Sequence, residues 1–238
     1  ATHLPALLSS PLESINRAAF SLINAYNVPF DHDTVAALLA DTSRSEAKRI
    51  EALRLLTPVK DRRKKAILVA AKSEQIGLRM AALEEAFRLL PRLGPQLAEE
   101  VLFSTRDFSA RHHALNLLSE ARSEEAIDII WTQVQALNAS RAQPELKLDI
   151  YEAAIKAGLD HVLRSDVTTA YPTPLAYALY GGNPEVGARL FSEHPAGQCA
   201  RCHAVNDHTG SEVGPNLEGL GTRKDRSYLL EALIRPDA

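Results

Sequence analysis

Apolar residues recur at helical spacing from about residue 11 to residue 160, and this pattern predicts a series of short amphipathic helices. Asp33 is predicted to cap the second helix. Ser43 or Ser45 precedes the third helix, and Ser73 precedes the fourth. Long alternations of the kind that strands require are absent from this region. The apolar positions that define the predicted helices are Ile15, Ala19, Phe20 and Ile23; Val35, Leu38 and Leu39; Ile50, Leu53 and Leu56; and Ile76, Met80, Leu83 and Phe87. Helix-breaking interruptions are predicted at Pro58, Pro91 and Pro95.

A short motif, R-x-x-A-L, recurs within the helical region. It occurs at Arg49–Leu53, Arg79–Leu83 and Arg111–Leu115, roughly 30 residues apart, and Leu148–Ala154 is a weaker echo without the arginine. A small alanine lets neighbouring helices approach closely, and an arginine can pair with a carboxylate or carbonyl of the next repeat. The pattern favours stacked helix pairs, in which each pair buries one face against its neighbour. An irregular helical bundle rich in common helix formers is the alternative.

This motif and its period resemble HEAT repeats, and the resemblance implies an α-solenoid. Two breaker clusters, Tyr171–Pro174 and Gly181–Pro184, follow the helical region, with a short predicted helix over Leu175–Tyr180 between them. We therefore expect a HEAT-like domain over residues 1–181 and a second domain over residues 182–238.

Charge and composition restrict the class of protein. The 27 basic and 30 acidic residues give a formal net charge of −3, which argues against a general binder of nucleic acid or anionic membranes. No apolar run is long enough to span a bilayer.

Trp131 lies among apolar residues and is predicted to belong to a helix core. The densest basic cluster consists of Lys60, Arg62, Arg63, Lys64 and Lys65. We interpret it as a solvated helix start, and the alternative is a docking surface for an acidic redox partner.

The two cysteines of the chain lie in one motif, Cys199-Ala200-Arg201-Cys202-His203. C-x-x-C-H is the attachment pattern for c-type haem, since the two thiols can form thioethers to adjacent vinyl groups and the histidine can bind the iron. A dithiol oxidoreductase would place its C-x-x-C within a βαβ unit, and no strands are predicted around this motif. A zinc site with His194 or His208 would strain tetrahedral geometry at the adjacent Cys202 and His203. A structural disulfide would need no histidine.

The order of features around the motif resembles a class I cytochrome c. A predicted helix over Gly187–Phe191 precedes it, and Gly214-Pro215-Asn216-Leu217 and a predicted helix over Ser227–Ile234 follow. The resemblance implies that the Pro215 carbonyl accepts the ring N–H of the proximal ligand His203. Together with the repeats, this order resembles the haem-binding C-x-x-C-H modules named for planctomycetes, which commonly close long secreted proteins with an upstream propeller similar to sugar dehydrogenases.

The sixth iron ligand is left open by the sequence. Electron-transfer cytochromes normally use a methionine, and the single methionine, Met80, lies in a predicted repeat helix. In the family resembled, the methionine comes further along, so we expect the cytochrome module to be truncated at its C-terminal end. The alternatives are a histidine, with His208 closest and His194 next, or a five-coordinate or water-bound iron.

We therefore expect an all-α protein that transfers single electrons through one covalent haem c. Cys199 and Cys202 would anchor the haem, and His203 would bind the iron. Pro215 would orient the His203 ring. The resemblance implies a redox partner, a dehydrogenase domain or subunit, in the periplasm or beyond; the missing leader would then reflect a processed or cut N-terminus. The alternatives are an interaction scaffold with a structural or gas-sensing haem, and a haem enzyme such as a peroxidase. No catalytic residues can be assigned, and whether the chain is an enzyme is left open.

Overall fold

A computed structural model of the chain describes residues 3–10, 12–164, 175–182, 184–205, 210–211 and 213–235. Within these ranges the protein is helical and contains no strand, which confirms the expected all-α class. Three 3₁₀ turns, Pro144–Leu146, Asp160–Val162 and Cys199–Arg201, accompany the α-helices. The α-helices are α1 (Leu4–Ser9), α2 (Glu13–Tyr26), α3 (His32–Ala40), α4 (Glu46–Leu56), α5 (Lys60–Ala71), α6 (Ile76–Leu89), α7 (Leu93–Ser104), α8 (Phe108–Ala121), α9 (Glu124–Asn138), α10 (Lys147–Lys156), α11 (Leu175–Ala178), α12 (Pro184–Glu193), α13 (Leu220–Arg223) and α14 (Arg226–Ile234).

The chain divides into two compact units. The first unit comprises Ala1–Thr132 and Ala153–Leu159, and the second comprises Gln133–Glu152 and Asp160–Ala238. The expected domain boundary between residues 181 and 182 stays a prediction.

Packing in the first unit is local in sequence. From α1 to α8, helices that contact each other extensively are either consecutive or separated by a single helix: α3 packs on α4 and α5, α4 on α6, and α6 on α7 and α8. The core is aliphatic, with one buried aromatic side chain, Phe20, among its largest fully buried residues.

The recurring R-x-x-A-L motif supplies the centre of this core. In each of its three copies the alanine is fully buried and the leucine after it is almost fully buried; these pairs are Ala52–Leu53, Ala82–Leu83 and Ala114–Leu115. Alanine therefore provides the close helix approach that its small size predicts.

The arginine of the first copy, Arg49 on α4, is buried and donates three hydrogen bonds. Its Nε donates to the Leu39 carbonyl at 2.9 Å, and Nη1 donates to Ser73 Oγ at 3.1 Å and Gln75 Oε1 at 2.7 Å. Arg79, the arginine of the second copy, donates from Nε and Nη2 to the Ser73 carbonyl. Both arginines therefore hold the connection between α5 and α6.

The start of α6 is tied to α4 by two further contacts. Gln75 Nε2 donates to the Arg44 carbonyl at 3.1 Å, and the Glu46 carboxylate accepts from the Leu78 backbone N–H at 3.2 Å. A Cβ at Gly77 would lie 2.8 Å from Glu46 Cδ, so glycine leaves room for this carboxylate to reach the helix N-terminus. An acidic group at this position also interacts favourably with the helix dipole.

Three sequence predictions are wrong in detail. The cap of α3 is Asp31, whose carboxylate accepts from the Asp33 and Thr34 N–H groups, and Asp33 lies inside the first turn. Pro95 lies in the first turn of α7, where its missing N–H removes no helical bond, so it does not interrupt a helix. Trp131 is 41% exposed and is not a core residue.

Across the described part of the chain, no helix combines the length and the apolar character that a bilayer crossing would require.

Candidate functional site

The C-x-x-C-H motif lies in the second unit, between two helices that the sequence predicts. The helix α12 ends at Glu193, shortly before the motif, and packs against the turn that carries the cysteines. After the motif come the Gly-Pro segment, α13 and α14. The predicted helices before and after the motif are therefore confirmed, the first five residues longer and the second one residue longer than expected.

The two cysteines lie three residues apart in a 3₁₀ turn. The N–H groups of Cys202 and His203 both donate to the Cys199 carbonyl, at 3.2 Å and 3.0 Å. A 3₁₀ helix has three residues per turn, so side chains at i and i+3 project from the same side. Both thiols are free, with Cys199 half-buried and Cys202 exposed, and so both are available for covalent chemistry.

The ring of His203 is oriented by a backbone carbonyl. Its Nδ1 lies 2.8 Å from the Pro215 oxygen, across a loop of twelve residues. A carbonyl oxygen only accepts hydrogen bonds, so Nδ1 carries the proton and donates. The other ring nitrogen, Nε2, is then unprotonated in the neutral ring and can bind a metal ion. The resemblance to cytochromes implies this hydrogen bond from His203 to the Pro215 carbonyl.

The segment around Pro215 is held against the motif by the backbone. The Gly214 N–H donates to the Cys202 carbonyl, and the Leu217 N–H donates to the Ala204 carbonyl at 2.8 Å. At Gly214 a Cβ would lie 2.8 Å from the Cys202 oxygen and 2.9 Å from His203 Cε1. Glycine is therefore required at this position for the loop to lie against the histidine ring. Sequence reasoning quoted Gly214 within the motif but did not recognise this steric role, which depends on a three-dimensional contact.

His194 has the opposite arrangement of ring nitrogens. Its Nδ1 accepts a hydrogen bond from the Gly197 N–H at 3.0 Å, so the proton of the neutral ring is on Nε2. A protonated Nε2 has no lone pair to give a metal. To bind a metal through either nitrogen, His194 would have to give up this hydrogen bond.

We compared the chain with known proteins. No protein-family model matches it, and no solved structure is detectably similar to it. The interpretation of the site therefore depends on the chemistry of its own residues.

Apolar side chains in this part of the second unit are largely exposed. From residue 184 onwards, Ala204, at 6% exposure, is the one buried hydrophobic residue among those described. The exposed ones are Val186, Leu190, Val205, Val213, Tyr228 and Leu233. A porphyrin is a large apolar surface, so a segment with two thiols, a suitable imidazole and unburied aliphatic side chains fits a haem.

The remaining candidates from the sequence do not join this group in the described structure. Met80 is half-buried on α6 in the first unit, and His208 lies outside the described residues. Within the described ranges, no three His, Cys, Asp or Glu side chains are clustered as a metal ion would require, which gives a zinc site no support.

Proposed function

We propose that the protein is a c-type cytochrome that transfers single electrons through one covalently bound haem. The observation that carries the proposal is the 2.8 Å contact between His203 Nδ1 and the Pro215 oxygen, next to two free cysteines spaced for thioether formation. A dithiol redox pair has no need of a histidine whose Nδ1 is fixed in this way. A zinc site could use such a histidine, but no three potential ligands are clustered among the described residues.

The residues of the chain divide the work between attachment and tuning. Cys199 and Cys202 form the thioethers, His203 binds the iron through Nε2, and Pro215 holds the ring in one tautomer and raises its basicity. A haem held here exchanges one electron between ferric and ferrous iron. Aliphatic side chains such as Leu190 and Val213 are exposed in this structure, and a haem that covered them would lie in a lower local dielectric, which influences the reduction potential.

The first unit is proposed to be a HEAT-like α-solenoid. The support is its local packing, in which helices contact consecutive or next-but-one helices, and the recurrence of buried Ala-Leu pairs at a fixed position of the motif. Such an array would hold a partner protein or act as a rigid element between redox centres.

The partner is proposed to be a dehydrogenase domain or another redox protein. Haem c is attached after export, so the proposal places the protein in the periplasm or another extracytoplasmic space. Both statements depend on the resemblance to planctomycete-type modules and on the haem assignment.

The decisive experiment is a visible spectrum of the protein produced with the haem-c maturation machinery. We expect a Soret band, sharp α and β bands on reduction, and haem that stays on the chain in a denaturing gel. His203→Ala should remove the sharp α and β bands of the reduced protein. His194 is a matched histidine beside the same motif, and His194→Ala should leave the spectrum unchanged. Absence of a Soret band in the wild-type protein would reject the haem assignment.

One observation favours a second candidate, a scaffold whose haem is structural or binds a gas. Among the described residues from 184 onwards, the histidine besides His203 is His194, and its Nδ1 accepts a hydrogen bond from the Gly197 N–H. Carbon monoxide distinguishes the two functions. A reduced spectrum that carbon monoxide does not change indicates a six-coordinate electron carrier, and a shifted spectrum indicates an open position and supports the second candidate.

A further inference from the structure

The basic cluster at the start of α5 contains two kinds of side chain. Arg62 pairs with Asp33, with Nη1 2.6 Å from Oδ1, and Arg63 donates from Nε to the Thr57 carbonyl at 2.7 Å. These two arginines therefore stabilise the fold. Three side chains of the cluster are exposed and make no hydrogen bond or ion pair within the described structure. They are Lys60, Lys64 and Lys65.

Lys64 and Lys65 belong to a longer surface, which we call the basic groove. It consists of two adjoining hollows that share Lys64. The hollow along α5 is lined by Asp61, Lys64, Lys65, Leu68, Val69 and Lys72. The hollow between α5 and the α6–α7 turn is lined by residues that include Lys64, Leu89, Leu90, Arg92, Leu93 and Gln96.

The groove combines a charged rim with an apolar floor. Lys64, Lys65, Lys72 and Arg92 are exposed, and the acidic residue among the lining side chains is Asp61. The floor consists of half-buried aliphatic side chains such as Leu68 and Leu90. Protein interfaces have this anatomy, with apolar contacts at the centre and polar groups around them. The positive groove contrasts with the net charge of −3 of the chain.

We propose that the basic groove binds an acidic segment of a partner protein. Carboxylates of that segment pair with Lys64, Lys72 and Arg92, and an apolar side chain between them contacts the floor. Lys64 lies on α5 and Lys72 directly follows its last residue, eight positions or roughly 12 Å along the helix axis, so two turns of an acidic helix span them. Complementary charge would speed the encounter and set the orientation of the partner.

The other polyanions fit this surface less well. The described lining contains no aromatic side chain on which single-stranded bases could stack. A membrane-binding helix inserts protruding apolar residues into the lipid, whereas Leu68 and Leu90 are half-buried. The proposal concerns the first unit alone and does not depend on the haem assignment.

The test is binding of a labelled acidic helical peptide of about four turns, with Glu and Leu on one face, to the purified chain. We expect saturable binding by fluorescence anisotropy that weakens as sodium chloride rises from about 50 to about 200 mM. The double variant Lys64→Glu, Lys72→Glu should weaken binding about tenfold or more because two attractive contacts become repulsive.

The matched control is Arg122→Glu, Arg141→Glu. It changes the net charge by the same amount at two exposed positions outside the groove, and the affinity should change less than about twofold. Circular dichroism would establish that both variants keep their helicity. The proposal is overturned if the wild-type chain does not bind the peptide or if both double variants lose affinity equally. Tighter binding of an oligonucleotide or of phosphatidylserine vesicles than of the peptide would also overturn it.

Discussion

At the residue scale, two histidines nine positions apart differ in which ring nitrogen holds the proton. The Pro215 carbonyl fixes the proton of His203 on Nδ1, and the Gly197 N–H fixes the proton of His194 on Nε2. Both residues look equivalent as metal ligands in the sequence. Their backbone partners leave the lone pair of Nε2 available in His203, whereas the lone pair of His194 Nδ1 accepts the Gly197 N–H.

Gly214 gives the first prediction because a side chain there would collide with His203. Gly214→Ala should destabilise the haem-bound state by about 1–3 kcal/mol, since the Gly-Pro loop must move away from the ring. The measurement is guanidinium unfolding of the haem-loaded protein followed at the Soret band.

The control for this variant is Gly187→Ala, on α12. A Cβ at Gly187 has no neighbour within 4 Å, and alanine favours a helix, so we expect an unchanged or slightly higher midpoint. Equal midpoints for the two variants would contradict the steric role of Gly214.

At the element scale, the connection between α5 and α6 is held by side chains from both α4 and α6. Ser73 accepts from Arg49 through its hydroxyl and from Arg79 through its carbonyl, and Gln75 links Arg49 to the Arg44 carbonyl. These bonds cross between helices that are not consecutive. Polar contacts therefore set the register between α4 and α6, in addition to the buried alanine and leucine pairs.

Arg49 gives the prediction at this scale. Arg49→Ala should lower the free energy of unfolding by about 3 kcal/mol, because it leaves several buried acceptors without a donor. Arg49→Lys should lose less, since a lysine keeps the charge but cannot form the planar set of bonds. Urea unfolding measures both.

Arg54 is the matched arginine on the same helix. It pairs with Glu51 at 3.0 Å on the exposed side of α4, so Arg54→Ala should change stability by no more than about 0.5 kcal/mol. A similar cost for Arg49→Ala and Arg54→Ala would show that the bonds of Arg49 contribute little.

Helix periodicity was enough to predict where most of these elements lie, and the spacing of the cysteines and histidine was enough to predict a candidate site. The cap of α3 was misplaced because Asp31 and Asp33 are chemically identical and only the backbone conformation selects Asp31. Trp131 was misplaced because apolar neighbours in sequence do not reveal which face of α9 is covered. The tautomer of His194 could not be predicted, since it depends on a backbone N–H three residues away.

At the scale of the whole molecule, the first unit and the part of the second unit beyond residue 183 differ in how much apolar surface they bury. The first unit has a continuous aliphatic core from α2 to α8, whereas the described part of the second unit beyond residue 183 buries one hydrophobic residue, Ala204. Small domains with little core need another source of stability, such as a covalently bound group.

This difference predicts a local response to loss of haem attachment. In Cys199→Ser, Cys202→Ser, amide hydrogen exchange should become faster in residues 184–235 and stay unchanged in α4–α8. Because helices in the first unit contact near neighbours in sequence, their protection depends on those neighbours. Exchange followed by mass spectrometry measures both regions in one sample.

The reciprocal variant is Leu83→Ala, which opens a cavity in α6. It should speed exchange in α6 and in its neighbours α4, α5, α7 and α8. A uniform change across the chain in either variant would show that the protein unfolds as one cooperative body.

The bonds around Ser73 also bear on how the chain meets a protease. Lys72 and Arg106 are both exposed between consecutive helices, so trypsin can recognise either of them. Cleavage requires several residues to leave their positions and extend through the enzyme's cleft. Next to Lys72, that extension would break the bonds from Arg49 and Arg79, whereas the segment at Arg106 is held by the local contacts of Thr105 and Asp107. Of these two sites, trypsin would therefore cut first after Arg106, which separates α7 from α8.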